Sequence, residues 1–121
     1  MHPRLSPFAL TIVVAMALLA GCKDKQDATR QAWLDGVGAC PAPAKCTGKA
    51  RAAARDVATC EPTIDTKTLA AGDVVVVKEK IGFDTVGKIK TVKPSGGFDV
   101  EFPDGFVLDR PAESVVGRLC K

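Results

Sequence analysis

Between residues 23 and 65 the chain carries only five large apolar side chains: Trp33, Leu34, Val37, Val57 and Ile64. A stretch of 43 residues cannot close a hydrophobic core on so few, because short segments bury too small a fraction of their surface to offset chain entropy. It has to be held covalently, or by a neighbour. The neighbour follows at once, since residues 69–119 contain 19 large apolar residues punctuated by turn signals. The chain therefore reads as a poorly cored segment beside a domain that can build its own core.

The pattern of the second part is that of strands. Val74-Val75-Val76-Val77 is a β-branched run suited to a strand with little exposure. Thr85 to Val92 forms another, broken by Pro94-Ser95-Gly96-Gly97. Phe98, Val100 and Phe102 alternate with Gly97, Asp99 and Glu101, as in a half-buried strand. Pro103-Asp104-Gly105 makes a tight turn into Phe106-Val107-Leu108. Arg110 to Ser114 reads as one 3-10 turn before a short Val115-Val116 strand.

The front of the chain is different again. His2 and Arg4 make a weakly basic start, and Phe8 to Ala20 is an apolar run of 13 residues broken only by Thr11. A membrane-spanning helix needs about 20 apolar residues, so the run suits the core of a signal peptide rather than a span. It ends in Leu19-Ala20-Gly21-Cys22, which resembles the lipobox of bacterial lipoproteins. The resemblance implies export, lipid attachment to the Cys22 thiol, cleavage before Cys22 and acylation of the new amino terminus. It also implies that Lys23, standing where Asp would retain the protein on the inner membrane, directs it to the outer membrane of a cell that has one. The alternative is an ordinary secretory signal cleaved at the same place without lipidation.

With Cys22 assigned to lipid, Cys40, Cys46, Cys60 and Cys120 remain. Four cysteines in a small exported domain point to two disulfides. Zinc is the competing reading, but metal sites pair their ligands at C-x₂₋₄-C or H-x₃₋₅-H spacing; these intervals are wider and residues 22–121 contain no His. No C-x-x-C redox pair occurs. A first helix is expected over Ala28–Val37, capped by Asp27 and stopped near Gly36 and Gly38. A second is expected from a Thr47 cap to about Thr59, with Cys46, Ala50, Ala53, Val57 and Cys60 along one seam. Its two ends would lie ~20 Å apart, beyond the ~4.4–6.8 Å that a disulfide permits between Cα atoms. Of the three possible connectivities this disfavours the one containing Cys46–Cys60, and the short intervening turn favours Cys40–Cys46 with Cys60–Cys120. Trp33 is the expected packing anchor of this segment.

The strand order of residues 70–117, from Gly72-Asp73-Val74 through Val86-Gly87-Lys88-Ile89 to the final strand after a Pro-containing 3-10 turn, resembles the SH3-like barrels, including Tudor-type and KOW-type modules. The fold expected is thus α+β: a signal peptide at 1–21, an anchor and tether at 22–27, a disulfide-stapled helical segment at 28–65, and a five-stranded SH3-like β-barrel at 70–120. Peptide-binding and methyl-lysine-binding relatives rely on clustered Tyr and Trp, whereas this region has only Phe83, Phe98, Phe102 and Phe106. No ligand-binding residue is carried over from the resemblance.

Chemistry-bearing residues are scarce. Residues 22–121 have no His and no Tyr, Ser95 and Ser114 have no evident activator, and Asp99 and Glu101 read as a solvated strand face. An enzyme is not expected, nor is a cofactor or a metal. Residues 72–121 carry eight basic and eight acidic groups, leaving no net field to draw in nucleic acid. Charge is nevertheless segregated, with Lys78, Lys80, Lys88, Lys90 and Lys93 close in sequence and acids dominating 99–113. The lysines raise the expectation of a basic strand face turned to anionic lipid headgroups; the alternative is a solvated face balanced by the acids. The expected function is a membrane-anchored binding or adaptor module that contacts an envelope protein or cell-wall polymer, the alternative being a passive surface lipoprotein.

Overall fold

The computed structural model describes residues 25–79 and 84–121. The expected signal peptide (residues 1–21), Cys22, Lys23, Lys80 and Phe83 lie outside the described residues. No helix among those described is long and apolar enough to cross a membrane. The α+β class holds: among the described residues one helix, α1 (residues 25–36), precedes seven strands. These are β1 (Lys45–Ala52), β2 (Arg55–Glu61), β3 (Val74–Lys78), β4 (Asp84–Val92), β5 (Phe98–Glu101), β6 (Val107–Arg110) and β7 (Val115–Arg118).

β1 and β2 pair in a two-stranded hairpin, while the other five form one antiparallel sheet in the order β6-β5-β4-β3-β7. The sheet curls enough for Arg110, on edge strand β6, to form a bidentate ion pair with Glu79, just past β3, at 3.0–3.2 Å. Arg110 also lies over the Phe102 ring, 5.6 Å from its centroid. The strands expected at Val74–Val77, Thr85–Val92 and Phe98–Phe102 are present, as is the 3-10 turn, at Ala112–Ser114. Gly87 on β4 is required by close approach, because a Cβ there would run into Val100.

Two apolar clusters flank the sheet. One holds Leu69, Val75, Val77, Ile89, Phe98, Val100 and Phe102. The other joins Val74, Val76, Val86 and Leu119 to Ala52 and Val57 of the hairpin, with Trp33, Leu34 and Val37 packed against it. Alternate residues of β3 thus serve opposite clusters, and all four valines are buried.

The second expected helix is not formed; residues 45–61 are the β1–β2 hairpin. The exposure of β1 alternates strictly, with Lys45, Thr47, Lys49 and Arg51 outward and Cys46, Gly48, Ala50 and Ala52 inward. Alanine's intrinsic helix preference amounts to only a few tenths of a kcal/mol per residue. It loses to burial of Ala52 and Val57 against the sheet and to two cross-links. The hairpin turn is Ala53-Ala54, both left-handed with φ of 50° and 65°. The Ala53 N–H donates to the Asp84 carbonyl at 2.8 Å, pinning the turn to the start of β4. α1 also begins earlier than expected. Asp27 is inside it rather than at its cap, and its carboxylate accepts from Arg30 at 2.8 Å.

The disulfides are Cys40–Cys60 and Cys46–Cys120, not the favoured pairing. Without a helix, Cys46 and Cys60 stand near each other across the hairpin, where Lys45 faces Glu61, so the separation argument lapses. Each cysteine instead ties the hairpin to another part of the chain. Cα separations are 5.7 and 5.8 Å, across 20 and 74 residues of sequence. Loop closure assigns such bridges about 3 and 4.5 kcal/mol taken singly.

A left-handed conformation costs an L-residue roughly 1–2 kcal/mol, and Asn-Gly suits this two-residue turn better than Ala-Ala. The double change Ala53→Asn/Ala54→Gly should therefore stabilise the domain by about 1 kcal/mol, raising Tm by roughly 4–8 °C. Calorimetry of the two proteins side by side checks this.

Candidate functional site

A cleft of about 270 Å³ opens where α1 meets the sheet. Trp33 and Val37 at the end of α1 form one wall; Asp73, Lys88, Arg118 and Leu119 form the other. Register explains the second wall, because Lys88 on β4 pairs with Val74 and Arg118 on β7 pairs with Val75. The two cations therefore stand on either side of the start of β3, and Asp73, the residue before it, pairs with Arg118. Lys88 shares the face of Val86, the face that the helix and hairpin cover.

Asp73 is engaged on both oxygens. Oδ2 accepts from the Ala70 N–H at 2.9 Å, and Oδ1 lies 3.5 Å from the Arg118 guanidinium. Arg118 also donates to the Ala39 carbonyl at 3.4 Å, while Lys121 donates from its ammonium to the Asp35 carbonyl at 2.7 Å. These bonds satisfy carbonyls at and beyond the end of the helix and complement its negative end. The Lys88 side chain makes no hydrogen bond or ion pair among the described residues, and the residue is half-buried. The cleft thus pairs an aromatic wall with one more cation than anion, a setting that suits binding an anionic group rather than activating a nucleophile.

The other residues singled out in the sequence have structural tasks. Ser114 Oγ donates to the Pro111 carbonyl at 2.7 Å, closing the 3-10 turn. Asp104 accepts from the Phe106 N–H at 3.0 Å, closing the β5–β6 turn. Trp33 packs on the second cluster, as an anchor should, and also faces the cleft. The lysines do not share one free face: Lys88 lines the cleft, Lys90 is exposed, and Lys93 is bound to two carboxylates. Phe106, just before edge strand β6, and Val107 and Leu108 on it are exposed, and Asp109 and Arg110 make the strand a poor template for further pairing. Neither the cleft nor the exposed edge was anticipated, because both depend on which strands become neighbours.

No protein family, curated protein or solved structure matches the chain.

Asp99 and Asp109 stand directly opposite on β5 and β6, an arrangement that like charges disfavour. The Lys93 ammonium relieves it, 3.2 Å from Asp99 and 3.1 Å from Asp109. Hydrogen bonds to Asp109 and then Asp99 raise the Lys93 pKa above its ordinary value, against a smaller opposing effect of desolvation. A raised lysine pKa contributes stability below the unfolded value, and loses it as pH rises through the folded one. Tm should therefore fall above about pH 10.4, the ordinary lysine value, and Lys93→Met should flatten that fall. At neutral pH Lys93→Met should lower Tm, and Asp109→Asn in the same chain should restore part of the loss.

Proposed function

We propose that this protein is a lipid-anchored bacterial envelope protein, held through Cys22, whose folded part is a binding module rather than an enzyme. The signal-like run ending in Leu19-Ala20-Gly21-Cys22 supports the anchor, and the two disulfides suit an oxidising compartment. Lys23 favours the outer membrane. The strand order β6-β5-β4-β3-β7, with a 3-10 turn between β6 and β7, supports an SH3-like small barrel. Such barrels serve many binding roles, so the ligand has to be argued from the site.

The cleft between α1 and β3, β4 and β7 carries the binding reading. It is concave, walled by the chain's single Trp, and lined by half-buried Lys88 and by the Arg118–Asp73 pair. Its ligand is an anionic group, a carboxylate or phosphate borne by an envelope protein or cell-wall polymer. The helix begins within a few residues of Cys22, so the module works close to the lipid surface.

Two measurements test this. Labelled fatty acid should enter the native protein and be absent from Cys22→Ala, which should also escape lipoprotein-type processing; a soluble native protein with a free Cys22 contradicts the anchor. Crosslinking in solubilised envelope should recover a specific partner, and Lys88→Glu should reduce its yield about tenfold, as loss of a charge-assisted contact would. Equal recovery by both proteins contradicts the cleft as the binding surface.

A further inference from the structure

Cys40, Cys46, Cys60 and Cys120 form one cluster rather than two separate staples. The Sγ atoms of Cys40, Cys60 and Cys120 all lie within 4.8 Å of one another, and Cys46 is bonded to Cys120. Backbone pairing helps set this closeness: Thr59 bridges Leu119, and the Cys120 N–H donates to the Ala58 carbonyl at 3.3 Å. Exposure divides the cluster. Cys60 and Cys120 are 3% and 6% exposed, whereas Cys40 and Cys46 are half-buried. Each disulfide therefore joins a half-buried cysteine to a buried one, and the sulfurs of the two buried cysteines are neighbours.

We propose that the two disulfides constitute a single thiol–disulfide exchange site, entered by an external thiolate at Cys40 or Cys46 and resolved inside by Cys60 and Cys120. Attack of a thiolate on Cys40 Sγ forms a mixed disulfide there and breaks Cys40–Cys60, the electron pair leaving on Cys60. The Cys60 thiolate then attacks Cys120 Sγ, forming Cys60–Cys120 and expelling the Cys46 thiolate. Cys46 either takes a proton from water or attacks Cys40 Sγ, closing Cys40–Cys46 and returning the external thiolate. This last route consumes neither oxidant nor reductant. Entry at Cys46 converges on the same bond, because the Cys120 thiolate it releases attacks Cys60 and expels Cys40. Both routes end with a buried Cys60–Cys120 disulfide, which an external thiolate reaches less readily than either original bridge.

The exchange has a structural consequence. Cys60–Cys120 still ties β2 to the end of the sheet, so the hairpin stays docked. With Cys40 freed from Cys60, the segment between α1 and β1 loses its link to β2 and keeps at most a local Cys40–Cys46 bridge to β1, and α1 is one wall of the cleft. The substrate class is a thiolate, from a small-molecule thiol or the active-site cysteine of a disulfide oxidoreductase. The chemistry does not depend on the ligand proposed for the cleft.

The test uses the full chain carrying Cys40→Ser, which leaves Cys60 as a free thiol beside the native Cys46–Cys120 bridge. After alkylation and acid quench, peptide mapping should find Cys46–Cys120 and Cys60–Cys120 together in one sample. Their interconversion should be independent of protein concentration and should quicken about tenfold per pH unit below the thiol pKa, as attack by a thiolate requires. Sole recovery of Cys46–Cys120, with Cys60 fully alkylated, overturns the proposal. If the variant does not fold, the wild-type protein with less than one equivalent of reduced glutathione gives the same reading. A glutathione adduct at Cys40 or Cys46 accompanied by Cys60–Cys120 supports exchange; an adduct with the other native disulfide intact overturns it.

Discussion

Burial of both faces of β3 is the constraint on which the rest of the structure depends. Val74, Val75, Val76 and Val77 are between 0% and 6% exposed, which a sheet wetted on one side could not achieve. Val75 and Val77 are covered by the sheet's own curl, together with Phe98, Val100 and Phe102. Val74 and Val76 need a second layer, supplied by residues from the part of the chain with too few large side chains to fold alone. Burying a valine fully contributes about 1.5–3 kcal/mol, so these two side chains are a substantial part of what the early segment adds.

The hairpin is suited to covering a surface and ill suited to standing by itself. Gly48, Ala50 and Ala52 turn inward and let its backbone approach the sheet, but they bury little area. Cross-links supply what burial does not. Cys46–Cys120 fastens β1 to the end of the sheet, and Cys40–Cys60 fastens the segment after α1 to β2. The cleft is a result of this layering: it lies at the seam where the added helix meets the sheet, lined on one side by Trp33 and on the other by the basic residues that flank β3.

The sheet was legible in the sequence because its signals are large and local. Phe98, Val100 and Phe102 alternate with charged or small residues, and Asp104-Gly105 marks a turn wherever it occurs. The hairpin was misread because its inward residues are small. Lys45, Thr47, Lys49 and Arg51 alternate with Cys46, Gly48, Ala50 and Ala52, a true period of two, but alanine and glycine register weakly as apolar while alanine registers strongly as helical. The Ala53-Ala54 turn gave no warning either, since two left-handed alanines are tolerated only where tertiary contacts hold them. The error in disulfide pairing came from the short interval between Cys40 and Cys46, which favours a local bridge; the helix argument bore only on Cys46–Cys60, a pair that does not form. The cleft was beyond reach for another reason: Lys88 and Arg118 lie 30 residues apart and meet only because β4 and β7 both pair with β3.

The account predicts that the two clusters differ in their need for the cross-links, and hydrogen exchange by mass spectrometry with and without a disulfide reductant tests this most directly. Reduction should strip protection from residues 45–61, which depend on the bridges to stay docked. Residues 98–110, packed within the sheet's own cluster, should keep most of theirs. Loss of protection at 98–110 together with or before 45–61 would contradict the claim that a self-sufficient sheet carries a covalently fastened second layer.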